Sequence, residues 1–463
     1  MLRVQALPMT VLTEAPVSAP HVTRRRRGFD WSLPVLLFFS IQFGIAVALG
    51  FTAQELSSWV YSPEAFALNL SRVAAMAGTA IALTSILLAS RAPWVERAMG
   101  QDRMIFWHRK VGPYSLFLIA AHVILLSFAR TENTSLNTWE SLWDITLTTR
   151  WMVPAMVGFV FMIGIGITSY HRIRKMFKYE TWWVIHLYSY IGIALAFMHQ
   201  IQSGVMFRED PVLTQWWIFY YATVFGLLLR YRVMAPIALS FSNKPRIDKV
   251  VRENHDTVSV HLKTRNRKLK RAQGGQYFNL RVLEDTKWWE AHPYSLSASP
   301  KNGNLIFTVK ELGDHSSWLS TLPAGTPVQI EGPYGIFTTK RLRGNKVFFI
   351  AGGIGITPIK AMLEDLPHGV TGKVLWRVSK EADLVLQSEI QELCDSRGIE
   401  LVTVVGPREQ NLLWLEKAVT SSGDYKNYEV FICASKGLVE MSKETLQHLG
   451  LKKKNIYTEE FEF

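Results

Sequence analysis

Six apolar runs, near residues 32–52, 67–90, 108–129, 150–170, 182–202 and 213–231, fill the first half of this chain. Each approaches the roughly 20 residues that a helix needs to cross a hydrocarbon core about 30 Å thick. Lipid offers no water to the backbone, so a spanning segment of this length must be helical. The pattern excludes a single soluble domain. Composition is less decisive: 48% of the 463 residues are hydrophobic, but the excess lies before Pro236, and the remainder reads as ordinary soluble protein. A membrane domain followed by a cytosolic one is expected.

The connecting charges give an orientation. Arg24 to Arg27 precede the first run; Arg91, Arg97, Arg103, Arg109 and Lys110 lie between the second and third; His171, Arg172, Arg174, Lys175 and Lys178 follow the fourth; and Arg230 and Arg232 follow the sixth. On the other side, TENTSLNTWESLWD carries three acids and no Lys or Arg. The excess of basic residues on one side predicts a multi-pass protein of the inner (plasma) membrane with both termini cytoplasmic. The net charge of +13 raises nucleic acid as a partner. A membrane-side anchor accounts better for the arginine cluster, so no nucleic acid is expected. Residues 1–23 are polar and contain Pro, and the arginines precede a run too long for a signal peptide. Cys394 and Cys433, the two cysteines, imply no disulfide framework.

Four histidines interrupt the apolar pattern. His108 and His122 lie fourteen residues apart in the third run, and His186 and His199 thirteen apart in the fifth. An ionisable ring in hydrocarbon is costly unless it is satisfied, which makes each a candidate functional group. One whole hairpin separates the two runs, so both cross in the same direction. His108 and His186 therefore share an inner level, and His122 and His199 an outer one, about 20 Å apart. Two facing imidazoles per level suit axial ligation of a haem. Transition-metal sites, or buried histidines hydrogen-bonded between helices, are the alternatives. Fourteen residues nearly complete four turns, whereas thirteen leave His186 and His199 about 140° out of phase on a straight helix. A bend or a local register change would be needed. His171, in a basic loop, is not expected to be a ligand.

After Pro236 the pattern turns to short alternating strands, as in PRIDKVVRENHDTVSVHLKT, GGQYFNLRV, GNLIFTVKEL and GTPVQIEGPYG. These predict a small antiparallel barrel. NKVFFIAGGIGITPIKAMLEDL then reads as a strand, a Gly-rich turn and a helix, the geometry that turns backbone N–H groups toward an anion. The strands GKVLWRVS, IELVTVVG and YEVFICAS, with helical segments between them, predict a parallel α/β domain.

Taken in order, the histidine pairs, HPYSLSAS, EGPYG, AGGIGITP and the terminal YTEEFEF resemble the ferric reductase and NADPH oxidase family in its compact prokaryotic form, with a ferredoxin–NADP reductase-like FAD/NAD(P) module. The resemblance implies a cytoplasmic tail at 1–31, a six-helix transmembrane haem-binding bundle at 32–235 with two haem b, an antiparallel β-barrel FAD domain at 241–342 and a parallel α/β nucleotide-binding domain at 343–463. By position, His292, Pro293, Tyr294 and Ser295 would line FAD, and Lys310 would face its diphosphate. Gly352, Gly353, Gly355 and Thr357 would approach NADPH or NADH, with Arg377 at an adenosine 2′-phosphate. Phe463 would stack on the flavin, and Cys433 would support the hydride-transfer site. His315 is either near the flavin diphosphate or has a surface or scaffold role. The sequence departs from the family at ICASKG, where Ala434 follows Cys433 in place of the usual glycine. The implied activity passes electrons from NAD(P)H through FAD and the stacked haems to an acceptor on the outer face: molecular oxygen giving superoxide, or a ferric chelate, a periplasmic protein or a quinone. Arg130 and Arg208, on the outer side, would attract an anionic acceptor or neutralise haem propionates, with membrane-surface arginines as the plainer reading. No obligate protein partner is evident. A nucleotide-sensing channel or scaffold is the non-enzymatic alternative.

Overall fold

The computed structural model describes Ser40, Ile41, Gly44 and residues 62–461 apart from 239–244, 265–268, 284–289, 301–303, 407–412 and 424. The expected tail at 1–31, the first span at 32–52 and Phe463 lie outside the described residues. Among those residues, five helical stretches are long and apolar enough to cross a membrane: Pro63–Ala89, Arg103–Glu132, Met152–Ser169, Thr181–Ser203 and Pro211–Ala238. They correspond to the second through sixth apolar runs.

Helix α1 (Pro63–Ala89) starts where Ser62 Oγ accepts the Ala65 N–H, with Pro63 in the first turn, where a missing N–H costs nothing. It packs along α3 (Gln101–Ala129), and the short α2 (Pro93–Met99) lies between them. Gly78 permits the close approach: a Cβ there would lie 3.0 Å from Ile119 Cγ1 and 3.1 Å from Leu118 Cβ. The acidic connection folds as α4 (Thr138–Thr148), closed by an Asn137–Glu140 capping box. Next come α5 (Met152–Ser169), α6 (Tyr179–Leu195), α7 (Phe197–Ser203), α8 (Val205–Glu209) and α9 (Pro211–Leu228).

The soluble half holds eleven strands among the described residues. Six of them are β1 (Arg246–Arg252), β2 (Thr257–Lys263), β3 (Tyr277–Val282), β4 (His292–Ser295), β5 (Asn304–Lys310) and β6 (Val328–Tyr334). They form two three-stranded antiparallel sheets, ordered β1-β2-β5 and β4-β3-β6, over a shared core that includes Val260, Leu262, Phe278 and Phe307. The antiparallel sheets of the expected barrel are present, but among the described residues they form two separate ladders and not one closed one. Among the described residues the sheets are joined at the bridge Arg246–Pro327 and by the backbone bonds beside it, Ile247 N–H to Thr326 O, Gly325 N–H to Ile247 O and Val328 N–H to Pro245 O, while register shifts mark β1 at Ile247/Lys249 and β3 at Tyr277/Asn279.

The remaining five strands are β7 (Lys346–Gly352), β8 (Thr371–Val378), β9 (Ile399–Val405), β10 (Glu429–Ser435) and β11 (Ile456–Phe461). They form one parallel sheet ordered β11-β10-β7-β8-β9. Its strands are near-continuous apolar runs because the sheet separates two buried clusters, one around Phe349 and Trp376, the other around Phe348 and Ile432.

The membrane and soluble halves meet where the α1–α3 connection touches the end of β6. Arg91 Nη1 donates to Glu331 Oε2 at 2.9 Å, Gly335 N donates to Glu96 Oε1 at 2.8 Å, and Gly100 lies against Ile336.

Candidate functional site: two histidine levels and a cofactor module

The structure brings His108 and His186 together, with ring centroids 5.8 Å apart and planes at 73°. His122 and His199 both line one cavity among α1, α3, α4, α5, α6, α7 and α9, with Thr79, Gln200 and Tyr221. Gly158 on α5 and Gly192 on α6 flank this cavity. A Cβ on Gly158 would lie 2.4 Å from the Gly192 carbonyl oxygen, so only glycine allows the two backbones to cross this closely. A local irregularity falls between His186 and His199: Ala196 keeps its bond to the Gly192 carbonyl oxygen, but its ψ of −11° departs from the regular helical value before α7, which carries His199, continues from Phe197.

Several contacts around the rings were not anticipated from sequence. His108 Nδ1 lies 2.8 Å from Ser85 Oγ and 3.1 Å from the Ser85 carbonyl oxygen. His122 Nδ1 makes the same two contacts with Ser71, at 2.8 and 3.1 Å. His186 Nδ1 is 3.3 Å from Ser169 Oγ, and its ring lies 5.0 Å from that of Trp182. His199 Nδ1 is buried and has no hydrogen-bond partner among the described residues. Beside it, Gln200 Oε1 accepts from Trp217 Nε1 at 2.8 Å, and Gln200 Nε2 donates to Tyr221 Oη at 3.2 Å. The serines carried one legible signal: Ser71 and Ser85 share the fourteen-residue spacing of His108 and His122.

Among the described residues, no three His, Cys, Asp or Glu side chains converge to hold a metal ion. Each level offers two imidazoles. This donor set fits a macrocycle that brings its own equatorial ligands better than a bare ion, which would need a third or fourth protein ligand.

In the antiparallel module, β4 places His292 opposite Leu280, Pro293 opposite Asn279, Tyr294 opposite Phe278 and Ser295 opposite Tyr277. The His292 ring stacks on His315 at 3.7 Å, and Tyr294 Oη is 3.0 Å from His315 Nδ1. Burial pushes the Tyr294 phenol well above its usual range. His315 thus belongs to the β4 cluster and not to a bare surface. Lys310 is engaged elsewhere: its Nζ pairs with Asp383 at 2.7 Å and Asp256 at 3.2 Å, tying the antiparallel sheets to the parallel module.

The parallel sheet gathers the other predicted residues at its carboxyl edge, where ligands bind in open α/β sheets. Gly352 pairs with Arg377 across β7 and β8, and Ala351 with Cys433 across β7 and β10. Gly353 has a φ of +54°, and a Cβ there would meet nothing within 4 Å. At Gly355 a Cβ would fall 2.1 Å from the Cys433 carbonyl oxygen, so the turn can press against β10 only as glycine. Thr357 opens α10 (Ile356–Glu364), its hydroxyl donating to Ile354 O at 3.0 Å. Arg377 is largely buried on β8. Cys433 is wholly buried with its side chain in the core, and burial holds its thiol protonated. Phe461 packs against that core and reaches the Gly355 turn.

Residues 74–197 match the family described as ferric reductase like transmembrane component, and residues 242–338 match an FAD-binding domain family. Ferric reduction oxidase 7, chloroplastic, from Arabidopsis thaliana is 25% identical over 54% of this chain and 35% of its own length. An NADPH oxidoreductase from Mycobacterium tuberculosis is 26% identical over 44% of this chain and 56% of its own length. The chain thus spans between about a third and just over half the length of these two relatives. Among solved structures, the ferredoxin reductase in carbazole 1,9a-dioxygenase aligns at 20% identity and a TM-score of 0.40, over 47% of this chain and 68% of that one. With its membrane helices and its paired antiparallel sheets, the chain carries a ferric reductase-like transmembrane component over residues 74–197 joined to an FAD-binding domain over residues 242–338.

Proposed function

We propose that this chain is a transmembrane NAD(P)H oxidoreductase that carries electrons from a cytoplasmic NADPH or NADH through FAD and two haem b groups to an acceptor on the outer face. The observation that carries the reading is the pairing of imidazoles at two levels, His108 with His186 and His122 with His199, above a docked FAD-binding module. When bound, the flavin takes up an electron pair as hydride and the haems carry electrons singly.

The chain's own residues hold, orient and exclude. His108 and His186 would hold the inner haem, and His122 and His199 the outer one. His292, Pro293, Tyr294 and Ser295 would line the flavin, with His315 buttressing them through Tyr294. Gly352, Gly353, Gly355 and Thr357 leave room for the dinucleotide phosphates, with Arg377 and Cys433 on the flanking strands. Phe463 lies two residues beyond Phe461, whose ring already reaches the glycine turn. The basic α1–α3 connection, which the charge pattern assigns to the cytoplasm, is also the one that docks the flavin module; this supports an inner-membrane protein with its cofactor modules inside.

The acceptor in this reading is molecular oxygen, giving superoxide. Among the described residues no Lys or Arg lines the outer cavity, and Arg130 is paired with Asp144 at 3.3 Å, an arrangement that suits a small neutral acceptor. A ferric chelate is the second reading, favoured by the names of the matched family and of the Arabidopsis relative. An absorbance spectrum of the purified chain is expected to show two haems and one flavin. Anaerobic NADPH or NADH should reduce the haems, and oxygen should then reoxidise them with superoxide formed. Reoxidation by ferric chelate alone would select the second reading. His199→Ala should preserve flavin reduction but interrupt acceptor reduction; unchanged acceptor reduction would refute the assigned route.

A further inference from the structure

We infer that Ser71 and Ser85 are positioning residues that fix the tautomer and ring angle of His122 and His108, so that each presents Nε2 to iron. The inference rests on the assignment of these histidines as haem ligands.

Because α1 runs antiparallel to α3, equal spacings produce the same clasp twice: Ser71 with His122, and Ser85 with His108. Both serines are buried. The serine carbonyl settles which ring nitrogen carries the proton, and the hydroxyl, the closer contact at 2.8 Å and the one an alanine would remove, sets the angle and strength of the donation. In each clasp, Nδ1 lies 3.1 Å from the serine carbonyl oxygen. A carbonyl oxygen only accepts. An unprotonated Nδ1 would set two lone pairs against each other at hydrogen-bonding distance. Nδ1 therefore carries the ring proton, shared between the carbonyl and hydroxyl oxygens, and Nε2 keeps the lone pair that binds a metal. The Ser71 hydroxyl proton is committed elsewhere, because Oγ donates to the His122 carbonyl oxygen at 3.2 Å. That leaves Oγ free to accept from Nδ1.

The opposing rings are held differently. His186 has the longer 3.3 Å contact with Ser169 Oγ, and His199 Nδ1 has no well-formed bond. Each level thus joins one clasped imidazole to one loosely held imidazole. Donation from Nδ1–H raises the basicity of the ligating nitrogen, which favours the ferric over the ferrous iron.

Redox titration of haem absorbance in the full chain tests this. Ser85→Ala is expected to raise the potential of one haem and Ser71→Ala that of the other. Each shift corresponds to about a tenfold change in the ferric–ferrous equilibrium, or about 59 mV for one electron. Ser85→Thr and Ser71→Thr, which keep the hydroxyl, should stay near the wild type. Loss of one haem in an alanine variant with retention in its threonine counterpart supports the clasp equally. Unmoved potentials in both alanine variants, or equal haem loss in alanine and threonine variants, would overturn it. A wild-type chain without two haems would instead overturn the ligand assignment.

Discussion

Replacing Glu331 with Gln is expected to loosen the docking of the flavin module on the membrane helices. Glu331 is 5% exposed and receives Arg91 from the membrane side at 2.9 Å and Arg281 from its own sheet at 2.5 Å. Arg91 also lies over the Tyr334 ring, 5.1 Å from its centroid. Its backbone adopts a φ of +57°, a conformation that costs an L-residue about 1–2 kcal/mol unless its surroundings hold it. Of the two Glu331 bonds, only the one from Arg91 crosses the seam. A charge-assisted hydrogen bond contributes about 1.5–3 kcal/mol, and Arg91 is 19% exposed, so about 2 kcal/mol is the appropriate loss. That corresponds to a docked-to-undocked ratio about thirtyfold lower. The Gly335 N–H, bonded to Glu96 across the seam, reports on it directly. Hydrogen–deuterium exchange at Gly335 should accelerate about thirtyfold in Glu331→Gln, while amides in β7 and β10 keep their wild-type rates. Exchange at Gly335 within threefold of the wild type would refute the assignment of Glu331 as the latch.

Gly158→Ala should force α5 and α6 apart and cost about 1–3 kcal/mol, seen as a lower melting temperature and less haem per chain. Gly226→Ala, where a Cβ would meet nothing within 4 Å, is the control and should be neutral or slightly stabilising. Burial pushes the Cys394 thiol up to about 12, with the Asp395 charge adding to the shift, and pushes Cys433 well up too. At pH 8 a thiol reagent should therefore find neither cysteine in the native chain and both after denaturation. Burial disfavours the Asp383 carboxylate, yet the Lys310 hydrogen bond and charge hold it below its usual range. Its contribution is complete above the unfolded-state value of about 3.9 and is lost as pH falls through the lower folded value. Asp383→Asn should flatten that acid limb of the melting curve; an unchanged limb would place it elsewhere.

The parts of this architecture fixed by periodicity and charge were legible in the sequence. Five of the expected spans coincide with described helices, and the parallel sheet follows from buried strands alternating with helices. How the antiparallel strands divide into two ladders was not legible, because alternation records which face of a strand is buried, not which strand is its neighbour. Lys310 illustrates a different limit: its charge was visible, but Asp383, which pairs with it, lies 73 residues further on in another module. Ser71 and Ser85 were hidden by chemistry, since serines in an apolar helix ordinarily bond their own backbone. His315 was ambiguous for want of the fold that stacks it on His292.

The turn at Ala196 has a consequence for how the two levels can diverge. In an unbroken helix, any substitution that rotated the segment would swing both rings by the same angle, so improving one site would spoil the other. With the irregularity at Ala196 lying between His186 and His199, changes in Phe197–Ser203 need not turn the inner ring by the same angle as the outer one. In the proposed electron path the outer level is then open to tuning with less disturbance of the level that faces the flavin module.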